Sequence, residues 1–193
     1  MYLFSIFICV LIVGLFSSII TFEIYQSIAW SFIVTLIVLV VDGITAFIIR
    51  KLLSIKFFGI DKQKFIAKQK EIKFYDKIKI KKWKDKVLEL GFLAGFSKNK
   101  IIEPSNNEYV KRYIIEANYG VSVHFYSMIF GFLVVFACPK KFWLSIGLPV
   151  AIVNVFYNFL SFAILRYNLV KLHKLYKINE IRNKRKNIDV FSA

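Results

Sequence analysis

The chain has 193 residues, of which 58% are hydrophobic, and it carries a formal net charge of +16. Soluble domains are only about 45–50% apolar, so this composition argues against an ordinary soluble domain. High apolar content beside high charge requires that the two be segregated along the chain, as in a bilayer protein with basic loops. Cys9 and Cys138 both lie in apolar runs, which argues against a disulfide scaffold.

Four apolar stretches predict an all-α integral membrane protein. Residues 2–22 contain no charged side chain, and about 20 such residues suffice to cross the hydrocarbon of a bilayer. This first stretch lacks a basic leader and a small-residue cleavage site, so we interpret it as a retained span rather than a signal peptide. The predicted spans are Tyr2–Phe22, Ile28–Ile49, Asn118–Cys138 and Phe142–Leu165.

The distribution of lysine and arginine predicts the orientation. Residues 50–117 contain 18 of the 28 basic residues, and the tail from Arg166 contains eight. Because basic loops stay in the cytosol, we expect a membrane protein with both termini cytoplasmic. Lys140 and Lys141 then fall on an outer turn, which leaves open a re-entrant hairpin in place of the last two spans.

Three regions follow from these boundaries. Residues 1–50 are predicted to form an N-terminal transmembrane hairpin, residues 51–117 a basic cytosolic or interfacial segment, and residues 118–193 a C-terminal hairpin with a basic tail. Within the middle region, Asp61–Leu90 interleaves lysines with aromatic and aliphatic residues. Its periodicity fits neither helix nor strand alone. Residues 91–107 read as a loop, and a helix is predicted from Glu108 into the third span.

The basic segment has two interpretations. Lysine-rich stretches can bind nucleic acid. Here the flanking apolar spans favour anionic lipid headgroups, or a phosphate-bearing cosubstrate, over nucleic acid.

Polar residues inside the predicted spans are the candidates for chemistry. Asp42 must be protonated, paired or facing a wet cavity, because a charge in hydrocarbon is costly. His124 is either a packing histidine or a general base, since imidazole titrates near neutral pH. Asn154 and Asn158 lie one helical turn apart, so they share a face of the fourth span.

Depth along the helices suggests which side chains meet. His124 is about 9 Å from Asn118 along one axis, and Asn158 is about 12 Å from Arg166 along another. If the third and fourth spans are antiparallel neighbours, His124 and Asn158 lie at the same depth. Glu116 and Arg166 are then expected together near the cytosolic mouth. The result is a polar pocket with a charged rim.

Several common motifs are absent from the sequence. There is no His-x-x-x-x-Asp acyltransferase motif, no nucleophile elbow, no Walker loop and no His-Glu-x-x-His. The two histidines, His124 and His173, do not belong to a cluster with metal-ligand spacing. We therefore expect no bound metal and no bound cofactor.

A series of short motifs resembles a known family. In order, the motifs are Phe74-Tyr75-Asp76-Lys77, Ile80-Lys81-Lys82-Trp83-Lys84-Asp85-Lys86-Val87-Leu88, Ile114-Ile115-Glu116 with His124, and Asn158 with Arg166-Tyr167-Asn168 and Leu172. This series, over residues 73–175, resembles the glycosyl-diaponeurosporenoate acyltransferases. It departs at Leu160, where the family has proline, and at Leu169, Val170 and Lys171, which the family replaces with arginines.

The resemblance implies an enzyme that transfers a fatty acyl group to the sugar hydroxyl of a glycosylated carotenoid acid or a similar glycolipid. It implies that His124, Glu116 and Asn158 are catalytic, with His124 as base and Asn158 as donor to the oxyanion. An acyl-CoA or acyl carrier protein would be the donor and a lipid-soluble glycoside the acceptor. The residues that would bind these substrates are Arg166, Asn168, Trp83, Lys82 and Lys84.

Two other functions are compatible with the residues. A different membrane transferase, such as a methyltransferase, could use the same helical frame. A non-enzymatic scaffold or small transporter would depend on Asp42 more than on His124, because intramembrane carboxylates often serve ion or proton paths.

Overall fold

The computed structural model describes residues 2–87 and 101–191, and every regular element within them is helical. Four helical stretches are long and apolar enough to cross a membrane, as predicted: Phe4–Thr21, Ile24–Leu52, Asn107–Ala137 and Lys140–Arg185. The end of the basic segment (88–90) and most of the predicted loop (91–100) lie outside the described residues.

The α-helices alternate with short 3₁₀ turns. The α-helices are α1 (Tyr2–Thr21), α2 (Ile24–Leu52), α3 (Gln69–Lys77), α4 (Ile80–Trp83), α5 (Asn107–Phe130) and α6 (Leu148–Phe191). The basic segment, for which periodicity left helix and strand open, is therefore helical in α3 and α4. The helix predicted from Glu108 is α5, which begins one residue earlier.

The connection between α5 and α6 is less regular than the sequence predicts. The third predicted span ends in a 3₁₀ stretch, Gly131–Ala137, and a π-helical turn, Trp143–Gly147, leads into α6. Pro149 follows in the first turn of α6. Helix α6 does not end at the predicted Leu165 but continues to Phe191.

The described chain divides into two compact units that are interleaved in sequence. The first comprises residues 1–53 and 122–162, and the second comprises residues 54–121 and 163–193. In the first unit, valines of α1 and α2 pack on the aromatic and aliphatic side chains before and within α6. This core contains Val13, Val34, Val38, Val134, Phe142, Ile146 and Val150.

Small polar residues bring the helices of the first unit together. A Cβ on Gly14 would lie 3.1 Å from the Ile28 Cα, so glycine permits α1 and α2 to approach closely. The Ser17 hydroxyl donates to the Ser145 hydroxyl at 2.9 Å. Small and hydroxylated side chains at helix interfaces are typical of membrane bundles, where packing and hydrogen bonds replace the hydrophobic effect.

One of the two lysines on the predicted outer turn, Lys141, has partners in the first unit. The Lys141 ammonium group pairs with Glu23 and donates to the Gln26 Oε1 at 3.0 Å. This contact places the turn before α6 at the same end of the unit as the turn between α1 and α2. Four antiparallel spans require that arrangement, and it favours full spans over a re-entrant hairpin.

The second unit is organised around aromatic rings. The Phe58 and Tyr119 rings stack with their centroids 3.7 Å apart, and Phe65 stacks on Phe58 at 5.9 Å. The Asn118 amide donates to the Phe58 carbonyl at 2.8 Å. Farther along α6, the Asn179 amide donates to the Pro104 carbonyl at 2.8 Å. The 3₁₀ turns and α3 are thereby held against α5 and α6.

Candidate active site

A polar cluster lies within the first unit, where α2, α5 and α6 contribute one, two and two residues respectively. One of the two contacts expected from the depth argument is confirmed, because His124 Nδ1 lies 2.8 Å from Asn158 Oδ1. Asn158 is buried and His124 is half-buried. The antiparallel pairing of the third and fourth spans therefore produces the imidazole–amide contact that the sequence predicts.

Asp42 joins this cluster from α2, and the sequence did not predict that contact. The Asn158 Nδ2 donates to one Asp42 oxygen at 3.0 Å, and the Asn154 Nδ2 lies 3.4 Å from the other. Among the described contacts, the Asp42 carboxyl group is hydrogen-bonded to neutral amides. Two amides one turn apart on α6 thus hold both carboxylate oxygens.

Asn154 completes the network. Its Nδ2 also donates to the Ser127 carbonyl of α5 at 3.3 Å, and its Oδ1 accepts from the Asn158 Nδ2 at 2.9 Å. A Cβ on Gly131 would overlap the Asn154 amide, so glycine leaves room for that side chain. Both Nδ2 protons of Asn158 are therefore donated within the cluster. The oxyanion-donor role expected for Asn158 does not fit this geometry, because neither N–H is available.

The second unit contains a separate charged cluster around Arg166. Its Nε and Nη2 donate to the two Glu71 carboxylate oxygens at 2.9 and 2.6 Å, a bidentate pair. Its Nη1 and Nη2 also donate to the carbonyls of Lys64 and Ile66 at 2.8 and 3.2 Å. Sequence analysis paired Arg166 with Glu116 and did not find Glu71.

Electrostatics in the Glu71 cluster follow from the geometry. Burial alone raises the pKa of Glu71, but hydrogen bonds from Arg166 and from the Lys68 backbone outweigh it and lower the pKa below its ordinary value. Burial and the neighbouring Glu71 charge raise the pKa of Tyr75 to about 12. The Tyr75 hydroxyl donates to Glu71 at 3.3 Å and stays protonated at any physiological pH.

The remaining predicted site residues lie in the second unit. Glu116 is half-buried on α5 and Asn168 is half-buried on α6. The Trp83 indole donates to the Ile78 carbonyl at 3.0 Å, which ties α4 to the end of α3. Lys84 pairs with Asp85 at 3.3 Å, and Lys82 is exposed. Substrate binding by these side chains stays a prediction.

Metal chemistry has no candidate ligand set in the described part of the chain. Among residues 2–87 and 101–191, no group of three or more histidine, cysteine, aspartate or glutamate side chains is placed to hold a metal ion. The Asp42–Asn158–His124 contacts instead form a carboxylate–amide–imidazole chain, an arrangement suited to acid–base chemistry because the imidazole is oriented by its neighbour.

Fold and site together define a helical protein with four potential membrane spans and a partly buried carboxylate–amide–imidazole cluster in its first unit. Comparison with protein families makes the assignment specific. The family model described as glycosyl-4,4'-diaponeurosporenoate acyltransferase matches residues 56–178, nearly two thirds of the chain, and the chain belongs to this family. It is an acyltransferase of carotenoid biosynthesis. No curated protein and no solved structure matches the chain.

Proposed function

We propose that this protein works within the bacterial plasma membrane, where it transfers a fatty acyl group to a sugar hydroxyl of a glycosylated carotenoid acid or a similar glycolipid. The observation that carries the proposal is the 2.8 Å contact between His124 and Asn158. Both residues lie within the matched family region. The membership makes an acyltransferase the favoured function over a methyltransferase or a scaffold.

His124 is the general base of the proposed reaction. Its Nδ1 faces a carbonyl oxygen, which can only accept, so Nδ1 carries the proton and Nε2 carries the lone pair of the neutral ring. Nε2 takes the proton of the sugar hydroxyl as that oxygen attacks the acyl carbonyl carbon. The thioester bond of an acyl-CoA or acyl carrier protein then breaks, and the proton on Nε2 passes to the departing thiolate.

The apolar spans suit a lipid acceptor. A carotenoid glycoside would lie with its chain among the hydrocarbon tails and its sugar near the boundary of the bilayer. The lysine-rich segment containing Lys82 and Lys84 is suited to the phosphates of the donor or to anionic headgroups. We assign Asn158 the role of orienting His124 through its carbonyl oxygen, in place of donating to an oxyanion.

Expression in a carotenoid-producing host tests the proposal. The host must make the glycosylated acid but lack the last acylation step, and its lipid extract is analysed by mass spectrometry. We expect an acylated glycoside with the wild-type chain and none with an empty vector or with His124→Ala. His173→Gln, which alters the other histidine, should retain the product. No new ester from wild-type protein present in the membrane would contradict the proposal.

A further inference from the structure

We propose that Asp42 is a positioning residue that holds His124 in its reactive tautomer through Asn158. This inference rests on the proposed function for its chemical meaning, but its geometry is independent of the substrate. Asp42 lies on α2, outside the matched family region of residues 56–178. It is thus a contribution of the N-terminal hairpin to the acid–base cluster.

The orientation of the Asn158 amide is the first step. An amide can be turned by 180° so that its oxygen and nitrogen exchange places, and the hydrogen-bond partners decide between the two arrangements. On one side of Asn158 lie Asp42 Oδ2 at 3.0 Å and Asn154 Oδ1 at 2.9 Å. The Asn154 backbone carbonyl, 3.2 Å from the Asn158 nitrogen, can only accept a hydrogen bond, as can Asp42 when its carboxylate is ionised, so the Asn158 nitrogen faces that side. Its oxygen then faces His124.

The tautomer of His124 is the second step. The Asn158 oxygen lies 2.8 Å from His124 Nδ1 and has no proton to offer. Nδ1 must therefore be the protonated nitrogen of the neutral ring, and Nε2 the basic one. Free histidine side chains favour the opposite tautomer, with the proton on Nε2. The network consequently imposes a form that the imidazole would not adopt by itself.

The charge of Asp42 is the third step. Asn154 already offers acceptors to the Asn158 nitrogen, its Oδ1 and its carbonyl at 3.2 Å. These neutral groups could equally belong to a hydrogen-bonded helix interface of the kind found in many membrane proteins. A carboxylate at position 42 most strongly disfavours the other amide orientation, in which the Asn158 oxygen would face Asp42. A carboxylate inside an apolar span is costly to retain, which makes a functional role the default interpretation.

Nitrogen NMR of the histidine ring tests this inference directly. The full-length protein carrying His173→Gln has His124 as its one histidine, and ¹⁵N-histidine labelling in lipid bilayers distinguishes the two tautomers by their chemical shifts. We expect the Nδ1–H tautomer in this background. Adding Asp42→Asn should move His124 toward the Nε2–H tautomer, and Asp42→Glu, which keeps the charge, should restore much of the Nδ1–H signal.

The control is Thr45→Val, also in α2, because the Thr45 hydroxyl donates only to the Val41 carbonyl among the contacts described. It should leave the histidine spectrum unchanged. An Nε2–H signal from His124 in the His173→Gln protein, which retains Asp42, would overturn the inference. An unchanged Nδ1–H signal in Asp42→Asn would also overturn it. The first of these results is measured without an Asp42 variant, so it can overturn the inference even if Asp42→Asn folds poorly.

Acyl transfer measured on the same variants separates the two proposals. If the His124 tautomer changes in the Asp42 variants but the parent protein forms no ester, the proposed function is contradicted and the positioning role is supported. If the protein forms the ester but the His124 tautomer is the same with and without Asp42, the proposed function is supported and the positioning role is contradicted. If both hold, Asp42→Asn should lower acyl transfer by about tenfold or more, and Asp42→Glu should recover part of that loss.

Discussion

Arg166 donates hydrogen bonds from all three guanidinium nitrogens, and its acceptors include the carbonyls of Lys64 and Ile66 and the Glu71 carboxylate. Sequence analysis assigned this arginine to substrate binding. Its side chain is only 10% exposed and its bidentate carboxylate partner is Glu71. Within the second unit Arg166 therefore fastens the segment before and within α3 to α6.

Replacing Arg166 should destabilise the second unit. Arg166→Ala leaves Glu71 and two carbonyls without their donor, and we expect a loss of about 3 kcal/mol in the free energy of unfolding. Thermal unfolding in detergent measures it. Lys81→Ala is the matched control, because Lys81 and Asp76 form an exposed ion pair at 3.9 Å and such pairs contribute about 1 kcal/mol or less. Equal losses for the two variants would contradict the anchoring role.

The residue contacts differ in how far the sequence could predict them. The His124–Asn158 contact follows from helix rise and from the positions of Asn118 and Arg166 in their spans, so depth alone was sufficient. Asp42 was recognised as unusual, but its partner depended on the rotation of α2 about its own axis, which hydropathy does not report. Glu71 was missed because its pairing with Arg166 joins residues 95 positions apart across an irregular connection.

Gly147 allows the π-helical turn before α6 to pack closely against the 3₁₀ stretch of residues 131–137. A Cβ at this position would lie 2.9 Å from the Val135 Cα and 3.1 Å from its carbonyl oxygen, and backbone atoms cannot give way as a side chain does. The π-helical turn before α6 depends on that approach. The 3₁₀ and π-helical stretches that flank it replace the continuous α-helices expected from hydropathy, which responds to composition and not to hydrogen-bond register.

Gly147→Ala should therefore lower the melting temperature of the protein. The added methyl forces the 3₁₀ stretch of residues 131–137 away from the turn, at a cost of about 1–3 kcal/mol. Gly43→Ala, in α2, is the control, because a Cβ there meets nothing within 4 Å and alanine favours helix by about 1 kcal/mol. A neutral or stabilising Gly147→Ala would show that the close approach is not required.

Docking of the segment around α3 should depend on pH. The pKa of Glu71 is lower in the folded protein than its ordinary value of 4.5. The carboxylate therefore stabilises the folded state above the ordinary pKa, and this contribution is lost as the pH falls through the folded pKa. We expect acid to loosen the second unit below about pH 4.5.

Trp83 fluorescence reports this loosening, since the other tryptophans, Trp30 and Trp143, can be replaced by phenylalanine. In the wild-type protein, protonation of Glu71 should produce a transition in Trp83 fluorescence as the pH is lowered from 7 to 3. Glu71→Gln should lack that component, because its amide does not titrate. An identical pH profile for Glu71→Gln would indicate that another carboxylate governs the transition.

The distribution of charge predicts the topology of the whole molecule. Of the 28 basic residues, 18 lie in residues 50–117 and eight follow from Arg166, which predicts both termini in the cytosol. The Lys141–Glu23 pair accounts for one of the two lysines that the rule places outside. Hydropathy was sufficient to predict the four apolar helices because the bilayer constrains helix length more strongly than water does.

Cysteine labelling of intact cells tests that topology. After replacement of Cys9 and Cys138, single cysteines are introduced at Phe22, whose side chain is 93% exposed, and at Lys51 at the other end of α2. A membrane-impermeant maleimide should label Phe22→Cys from outside and Lys51→Cys only after the cells are opened. The reverse pattern would contradict the orientation, and labelling of both from outside would contradict the span of α2.

The most direct test of the account is acyl transfer by purified protein in lipid vesicles. Radiolabelled acyl-CoA or acyl carrier protein is supplied with a glycosylated carotenoid acid, and ester formation is followed for wild type, His124→Ala and His173→Gln. The account predicts ester from wild type and from His173→Gln, with His124→Ala slower by about 10²-fold or more. Ester formed by His124→Ala at the wild-type rate would contradict the claim that the imidazole–amide contact is the active site.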